Sequence, residues 1–170
     1  IKAGIKDSAW SGGDYWKNEK VITTLSDWIA RGGGFIGVNE PTATDRPDSF
    51  FSLNHILGVD KDTGDMSCVG KYDYDLVNEH FITDDSFKVN LKVQEGIFVL
   101  GKDTQVLAEK DNTPILTVNQ FEDGRAAYLS GFKFTNENTR LLFRLIWNLM
   151  NNEGAINDYF SSNLDTECAY

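Results

Sequence analysis

Covalent chemistry in this chain would fall first to its cysteines and histidines, and their placement argues against it. A nucleophilic thiolate needs a helix N-terminus, a cation or a histidine to depress its pKa, usually on a small-residue elbow between strand and helix. Cys68 lies in a polar, glycine-punctuated stretch and Cys168 in the last residues, a hundred positions away, and neither has such an elbow. His55 and His80 have no companion at i, i+4 spacing and no cysteine pair at zinc spacing, so they read as packing or capping groups near the surface. Asp60, Asp62, Asp65, Asp73 and Asp75 do not fall at calcium-loop spacing and read as solvated surface. The expectation is therefore no catalytic residue, no metal and no cofactor.

Binding chemistry has better candidates. Ser11-Gly12-Gly13 falls after an expected strand and before an expected helix, where consecutive amides can face an anion or a sugar hydroxyl. It is neither a P-loop nor G-x-G-x-x-G, Asp14 beside it repels a bare phosphate, and a tight turn needing positive φ is the commoner meaning of such glycines. Trp10, Tyr15 and Trp16 flank the glycines. Aromatic faces of this kind line sugar sites or fill domain interfaces, and the sequence suits both. Glu40, within Asn39-Glu40-Pro41-Thr42, stands at the expected carboxyl end of a strand, the edge on which open α/β sheets hold ligands. Trp10, Ser11, Gly12, Gly13 and Glu40 are accordingly the candidate substrate- or phosphate-binding residues.

These residues need a scaffold, and the patterning supplies one. Residues 1–6 alternate like a short strand. From about residue 18 the apolar positions Val21, Ile22, Leu25, Trp28 and Ile29 recur at helical spacing and stop at Gly32-Gly33-Gly34. Phe35-Ile36-Gly37-Val38 reads as a strand buried on both faces, which with the first strand and the helix predicts a right-handed parallel βαβ unit. Residues 50–57 predict a second helix, and residues 58–74 a loop. Further on, strands are expected over 98–100, 104–108, 115–121 and 126–130, the last three joined by turns at 110–113 and at Glu122-Asp123-Gly124 into antiparallel pairs. A final helix over about 137–151, capped by Asn136, carries a wide apolar face with Phe143 and Trp147 beside its main stripe. That face suits packing on the sheet and against another domain or subunit.

Composition bounds the rest. At 170 residues with 41% hydrophobic content, one domain spanning residues 1–170 is expected, and no apolar run is long enough to cross a bilayer. Sixteen basic against twenty-six acidic side chains give a charge of −10, which disfavours nucleic acid and anionic lipid as partners. Two distant cysteines fit a reducing cytoplasm. The opening at Ile1, with neither methionine nor signal pattern, and the abrupt close at Tyr170 read as the ends of a fragment.

This α/β pattern resembles the class I glutamine amidotransferases without their cysteine. Three ordered blocks carry a closer likeness: Ala9-Trp10-Ser11-Gly12-Gly13-Asp14-Tyr15-Trp16; Gly32-Gly33-Gly34-Phe35-Ile36-Gly37-Val38-Asn39-Glu40-Pro41-Thr42-Ala43; and Phe50-Phe51 with Leu57-Gly58-Val59-Asp60-Lys61. With Gly124-Arg125-Ala126-Ala127-Tyr128-Leu129-Ser130-Gly131-Phe132 and Glu137-Asn138-Thr139-Arg140-Leu141-Leu142, they extend over nearly the whole chain. The chain resembles the middle domain of the 1,3-β-galactosyl-N-acetylhexosamine phosphorylases, also called lacto-N-biose or galacto-N-biose phosphorylases.

The resemblance implies a three-layer α/β sandwich of the glutamine-amidotransferase-like (flavodoxin-like or Rossmann-like) kind, with a mostly parallel sheet and additional antiparallel strands. It implies a bacterial hexosyltransferase of carbohydrate metabolism, cleaving a β-galactoside with inorganic phosphate and inversion to α-galactose 1-phosphate, without metal. In that family the general-acid aspartate belongs to an N-terminal (β/α)8-type barrel, β domains follow at the C-terminus, and some members prefer galactosyl-rhamnose. No catalytic residue carries over to any position here, and the fragment alone is expected to be inactive. The implied partners are other domains of the same polypeptide, phosphate and galactoside, with a homo-oligomer as a further arrangement. The opening strand Ile1-Lys2-Ala3-Gly4-Ile5-Lys6 departs from a continuously apolar one. The alternative reading is an oligomerisation (trimerisation-type) or sugar-binding domain of a β-galactosidase-like hydrolase.

Overall fold

The computed structural model describes residues 13–44, 48–64, 71–84 and 89–150. A short 3-10 helix, Gly13–Lys17, leads into α1, Glu19–Ala30. Asn18 caps α1: its side-chain oxygen accepts from the backbone N–H of Lys20 at 3.0 Å, satisfying one of the four donors a helix start leaves unpaired. Strand β1, Gly34–Val38, follows, and then α2, Asn54–Leu57. A small two-stranded sheet pairs β2, Val59–Lys61, antiparallel with β3, Ile97–Val99. The main sheet adds β4, Thr104–Lys110, β5, Thr113–Phe121, and β6, Gly124–Leu129, and the chain turns into α3, Asn136–Leu149.

The main sheet runs β1-β6-β5-β4, with β1 parallel to β6 and the other two ladders antiparallel. The expectation of a mostly parallel sheet is thus not met by the described ladders of the main sheet, of which one in three is parallel. The strand expected over residues 1–6, the first of the expected βαβ unit, lies outside the described residues. Both predicted hairpins form. Asp111 and Asn112 both adopt positive φ, the geometry of a two-residue turn whose twist matches its strands.

Alternation along β6 places Ala126 and Tyr128 on one face and Ala127 and Leu129 on the other. The first face packs with Ile29 of α1, Ile56 and Leu57 of α2 and the Phe50-Phe51 pair. The second packs with Leu141, Leu145 and Leu149 of α3. Helices therefore cover both faces, giving three layers. The outer edge of β4 meets a parallel bridge from Leu76 to Val106, with Val77 N–H donating to the Val106 carbonyl at 2.9 Å and the Tyr74 hydroxyl to Glu109 at 2.9 Å. Burial, then the Glu109 hydrogen bond and charge, push the Tyr74 hydroxyl up to about 12, so it donates at neutral pH.

Three sequence expectations change. Val59–Lys61 is a strand inside the stretch read as loop. The helix expected from residue 50 is confined to Asn54–Leu57, because residues 50–52 pair as an extended segment with residues 42–44: Phe51 bridges Ala43 antiparallel, the Phe50 carbonyl accepts from Thr44 N–H at 2.9 Å, and Ser52 N–H donates to the Thr42 carbonyl at 3.0 Å. Finally, Thr135 caps α3 in place of Asn136, its hydroxyl accepting from the Asn138 N–H at 3.2 Å. Thr135→Ala should cost about 1 kcal/mol, read as a lowered urea midpoint with unchanged slope.

Candidate functional site

The carboxyl ends of the parallel pair β1 and β6 meet at Asn39 and Ser130. Here β1 turns abruptly. Asn39 and Thr42 both hold left-handed backbone, at φ 67 and 58, a conformation costing about 1 kcal/mol or more at each for residues with a Cβ. Surrounding bonds hold the turn: Asn39 N–H donates to the Leu129 carbonyl at 2.8 Å, the Tyr128 hydroxyl to the Asn39 carbonyl at 3.1 Å, and Leu53 N–H to the Thr42 hydroxyl at 3.2 Å. Gly37 lets the turn fold back, since a Cβ there would lie 2.7 Å from Pro41 Cγ and 2.9 Å from Leu57 Cδ2. Burial, and secondarily the Glu40 charge, raise the Tyr128 pKa, so its hydroxyl keeps its proton and remains a donor.

This turn presents Glu40. Its Oε1 accepts from Lys61 Nζ at 2.5 Å and from Gln94 Nε2 at 3.1 Å. The Glu40 and Lys61 side chains are 24% and 16% exposed, and the ammonium also lies 5.2 Å from the centroid of the Phe50 ring. These groups line a crevice of about 650 Å3, completed by Asp62, Thr63, Lys92, Val93, Glu95 and Gly96. Across its upper side runs a strap, residues 89–96. The Ser130 hydroxyl donates to the Lys92 carbonyl at 2.5 Å, the Asn138 amide to the Asn90 carbonyl at 3.2 Å, and Asp62 N–H to the Gly96 carbonyl at 2.8 Å. The strap covers the end of β6 and shifts the open crevice toward β2. With carboxylate, ammonium and amide side by side, the crevice can both donate to and accept from hydroxyl groups. Glu40 is held by a cation and an amide, the first of these a charge-assisted bond.

The sequence candidates divide. Glu40 stands where expected, at the carboxyl edge. Trp10, Ser11 and Gly12 lie outside the described residues, as do Asp65, Cys68 and Cys168. Gly13 opens the 3-10 helix, which is tied to the Glu40 side through Ser52, whose hydroxyl donates to the Trp16 carbonyl at 2.7 Å. Trp16 is core, while Tyr15 stays exposed. The crevice residues Lys61, Gln94 and Lys92 had no distinguishing sequence signal: a lone lysine or glutamine reads the same on any surface.

Asp60 corrects another expectation. Read as solvated, it is 2% exposed and accepts from Phe51 N–H at 2.9 Å, Phe50 N–H at 3.1 Å, Lys61 N–H at 2.9 Å and the Asn54 amide at 3.0 Å. It fixes both the Phe50 floor and the base of Lys61. Asp73 and Asp75 are exposed as expected. His55 sits edge-on to Phe121 with centroids 5.4 Å apart, where burial lowers its pKa, and His80 Nδ1 accepts from Ile82 N–H at 3.2 Å. Both are packing or capping roles. A second cavity of about 260 Å3, lined among others by His80, Gln120 and Arg125, lies toward the amino end of β6, away from Glu40.

Three helix-and-sheet layers with a strapped polar crevice at the carboxyl edge define a class of α/β domain. Similarity narrows the class. The chain belongs to the lacto-N-biose phosphorylase central domain family, whose model matches residues 1–154. It is 39% identical over 172 residues to a 1,3-β-galactosyl-N-acetylhexosamine phosphorylase of Lachnoclostridium phytofermentans, covering all of this chain and 24% of that protein. It is 33% identical over 171 residues to the D-galactosyl-β-1→4-L-rhamnose phosphorylase of the same organism, again covering all of this chain and 23% of the relative. The chain thus spans about a quarter of the length of these relatives. Among solved structures it is similar to a β-galactosidase from Rahnella sp. R3, with a TM-score of 0.54 at 16% identity over 78% of this chain and 21% of that one. Gan42B, a GH42 β-galactosidase, gives 0.50 at 17% identity over 79% and 20%. These two likenesses concern the fold. Among the described residues no helix is long and apolar enough to cross a membrane.

Proposed function

We propose that this chain, residues 1–170, is a single non-catalytic central domain of a larger cytoplasmic galactoside phosphorylase, glutamine-amidotransferase-like in fold. Its Glu40 crevice borders the galactoside or phosphate site, to which Trp10, Ser11, Gly12 and Gly13 also contribute, and the reacting groups come from another domain. The observation that carries the reading is the family match over residues 1–154, with relatives that cover the whole chain using about a quarter of their own length. The strained turn that holds Glu40 supports the site, since backbone strain of this kind collects where geometry matters for binding.

In this role the domain shapes and excludes. Lys61 and Gln94 fix the Glu40 carboxylate so that its remaining acceptor capacity points at a hydroxyl without a search through rotamers, and the strap keeps bulk water from the edge above β6. The full-length polypeptide should release galactose 1-phosphate only when phosphate is present, and residues 1–170 alone should not. In the full-length protein, Glu40→Gln should raise KM for galactoside about tenfold with kcat little changed, because it weakens a charge-assisted hydrogen bond from a sugar hydroxyl made before and during reaction. Failure of phosphate-dependent release overturns the phosphorylase reading. An unchanged KM for galactoside removes Glu40 from the site.

A further inference from the structure

Helix α3 carries two apolar stripes. The first, Leu141, Leu145 and Leu149, is buried against the sheet. The second runs through Phe143, Ile146, Trp147 and Met150, at i, i+3, i+4 and i+7, which places the four side chains on one continuous helix face. Phe143, Ile146 and Met150 are 46%, 41% and 61% exposed, and the Phe143 and Trp147 rings lie 6.0 Å apart between centroids. A surface stripe with this spacing is the pattern by which a helix docks on an apolar face.

Area and charge decide between occupants. With each large apolar side chain offering roughly 150–250 Å2 when fully exposed, the stripe presents on the order of 400 Å2. A stable dimer of independent chains needs about 800 Å2 from each partner. Domain interfaces within one polypeptide are formed from smaller patches, because the tether supplies a local concentration that separate copies lack. Two copies would also bring together chains that each carry −10. The chain's relatives are about four times its length, so there is chain to serve as occupant.

We infer that the Phe143 to Met150 stripe is the face by which this domain docks an apolar surface of a neighbouring domain of the same polypeptide. This rests on the reading of the chain as one domain of a longer protein. Oxidation of Met150 by hydrogen peroxide, followed by mass spectrometry on the full-length protein, tests it, since sulfoxide formation follows exposure. Met150 should oxidise about tenfold more slowly than in the unfolded protein, with the same protection after hundredfold dilution. Ile146→Lys, which adds charge outside the core stripe, should abolish the protection while the rest of the domain keeps its protease resistance. Oxidation at the unfolded rate overturns the inference, as does protection that is lost on dilution, which would identify a second copy as the occupant. The readout does not involve phosphorolysis, so an inactive protein with a protected Met150 would remove the enzymatic reading and leave the docking face standing.

Discussion

Asp60→Ala should destabilise the protein by about 4 kcal/mol, a large part of the 5–15 kcal/mol that holds a domain of this size together. The substitution strands the amides of Phe50, Phe51 and Lys61 and the side chain of Asn54, each buried donor costing about 1–3 kcal/mol when left without an acceptor. Asp60→Asn should cost about 1 kcal/mol, because one oxygen is kept and Asn54 can rotate its own carbonyl toward the new amide. Urea denaturation separates the two. Burial raises the Asp60 pKa above its ordinary 3.8, although its donors, Asn54 first, oppose the rise. A carboxyl whose native pKa exceeds its unfolded one contributes most to stability below 3.8 and loses that contribution as pH rises through the native value. The unmodified protein should therefore gain stability relative to Asp60→Asn as pH is lowered through this window. A relative loss would show that the native carboxyl is instead held below its ordinary value.

Gly124→Ala should be nearly as damaging, at about 3 kcal/mol. A Cβ at this position would sit 1.9 Å from the Ile29 carbonyl oxygen and 2.7 Å from that of Gly33, backbone atoms that cannot rotate away. Nor can the two segments separate easily, since Asp123 N–H bonds the Ala30 carbonyl at 3.1 Å and Arg125 N–H that of Gly33 at 3.2 Å. The β5–β6 turn is thus clamped onto the end of α1. Thermal melting of Gly124→Ala, with Gly101→Ala as a control where a Cβ meets nothing within 4 Å, measures the effect. Equal melting temperatures for the two variants would refute the clamp.

These two residues also show where the sequence was legible. Alternation and helical spacing located α1, α3 and the β4–β6 meander, because each buries one periodic face and the pattern is written in side-chain types. Gly124 was legible as part of a turn, but the reason for glycine, the approach of a distant carbonyl, lies in tertiary structure. Asp60 and β2 were misread together: a charged residue among glycines and aspartates counts as surface until its donors, nine and ten residues earlier, fold over it. The extended pairing of residues 50–52 with 42–44, equally tertiary, shortens the helix expected over residues 50–57. Of the candidate site, Glu40 could be placed by its position after a strand, whereas Lys61 and Gln94, 21 and 54 residues away, converge on it only through the β2–β3 pair and the strap.

The covering of β4 by the segment around Leu76 and Val77 has a further consequence for behaviour in solution. An open strand at the end of a sheet offers its free amides and carbonyls to any extended chain, the usual start of fibrous aggregation. Here Val77 has already claimed the Val106 carbonyl, and the register shifts of β4 around Ala108 break the straight ladder that an added strand would follow. The protein carries its own stopper at that margin, so the growth of the sheet ends within the molecule.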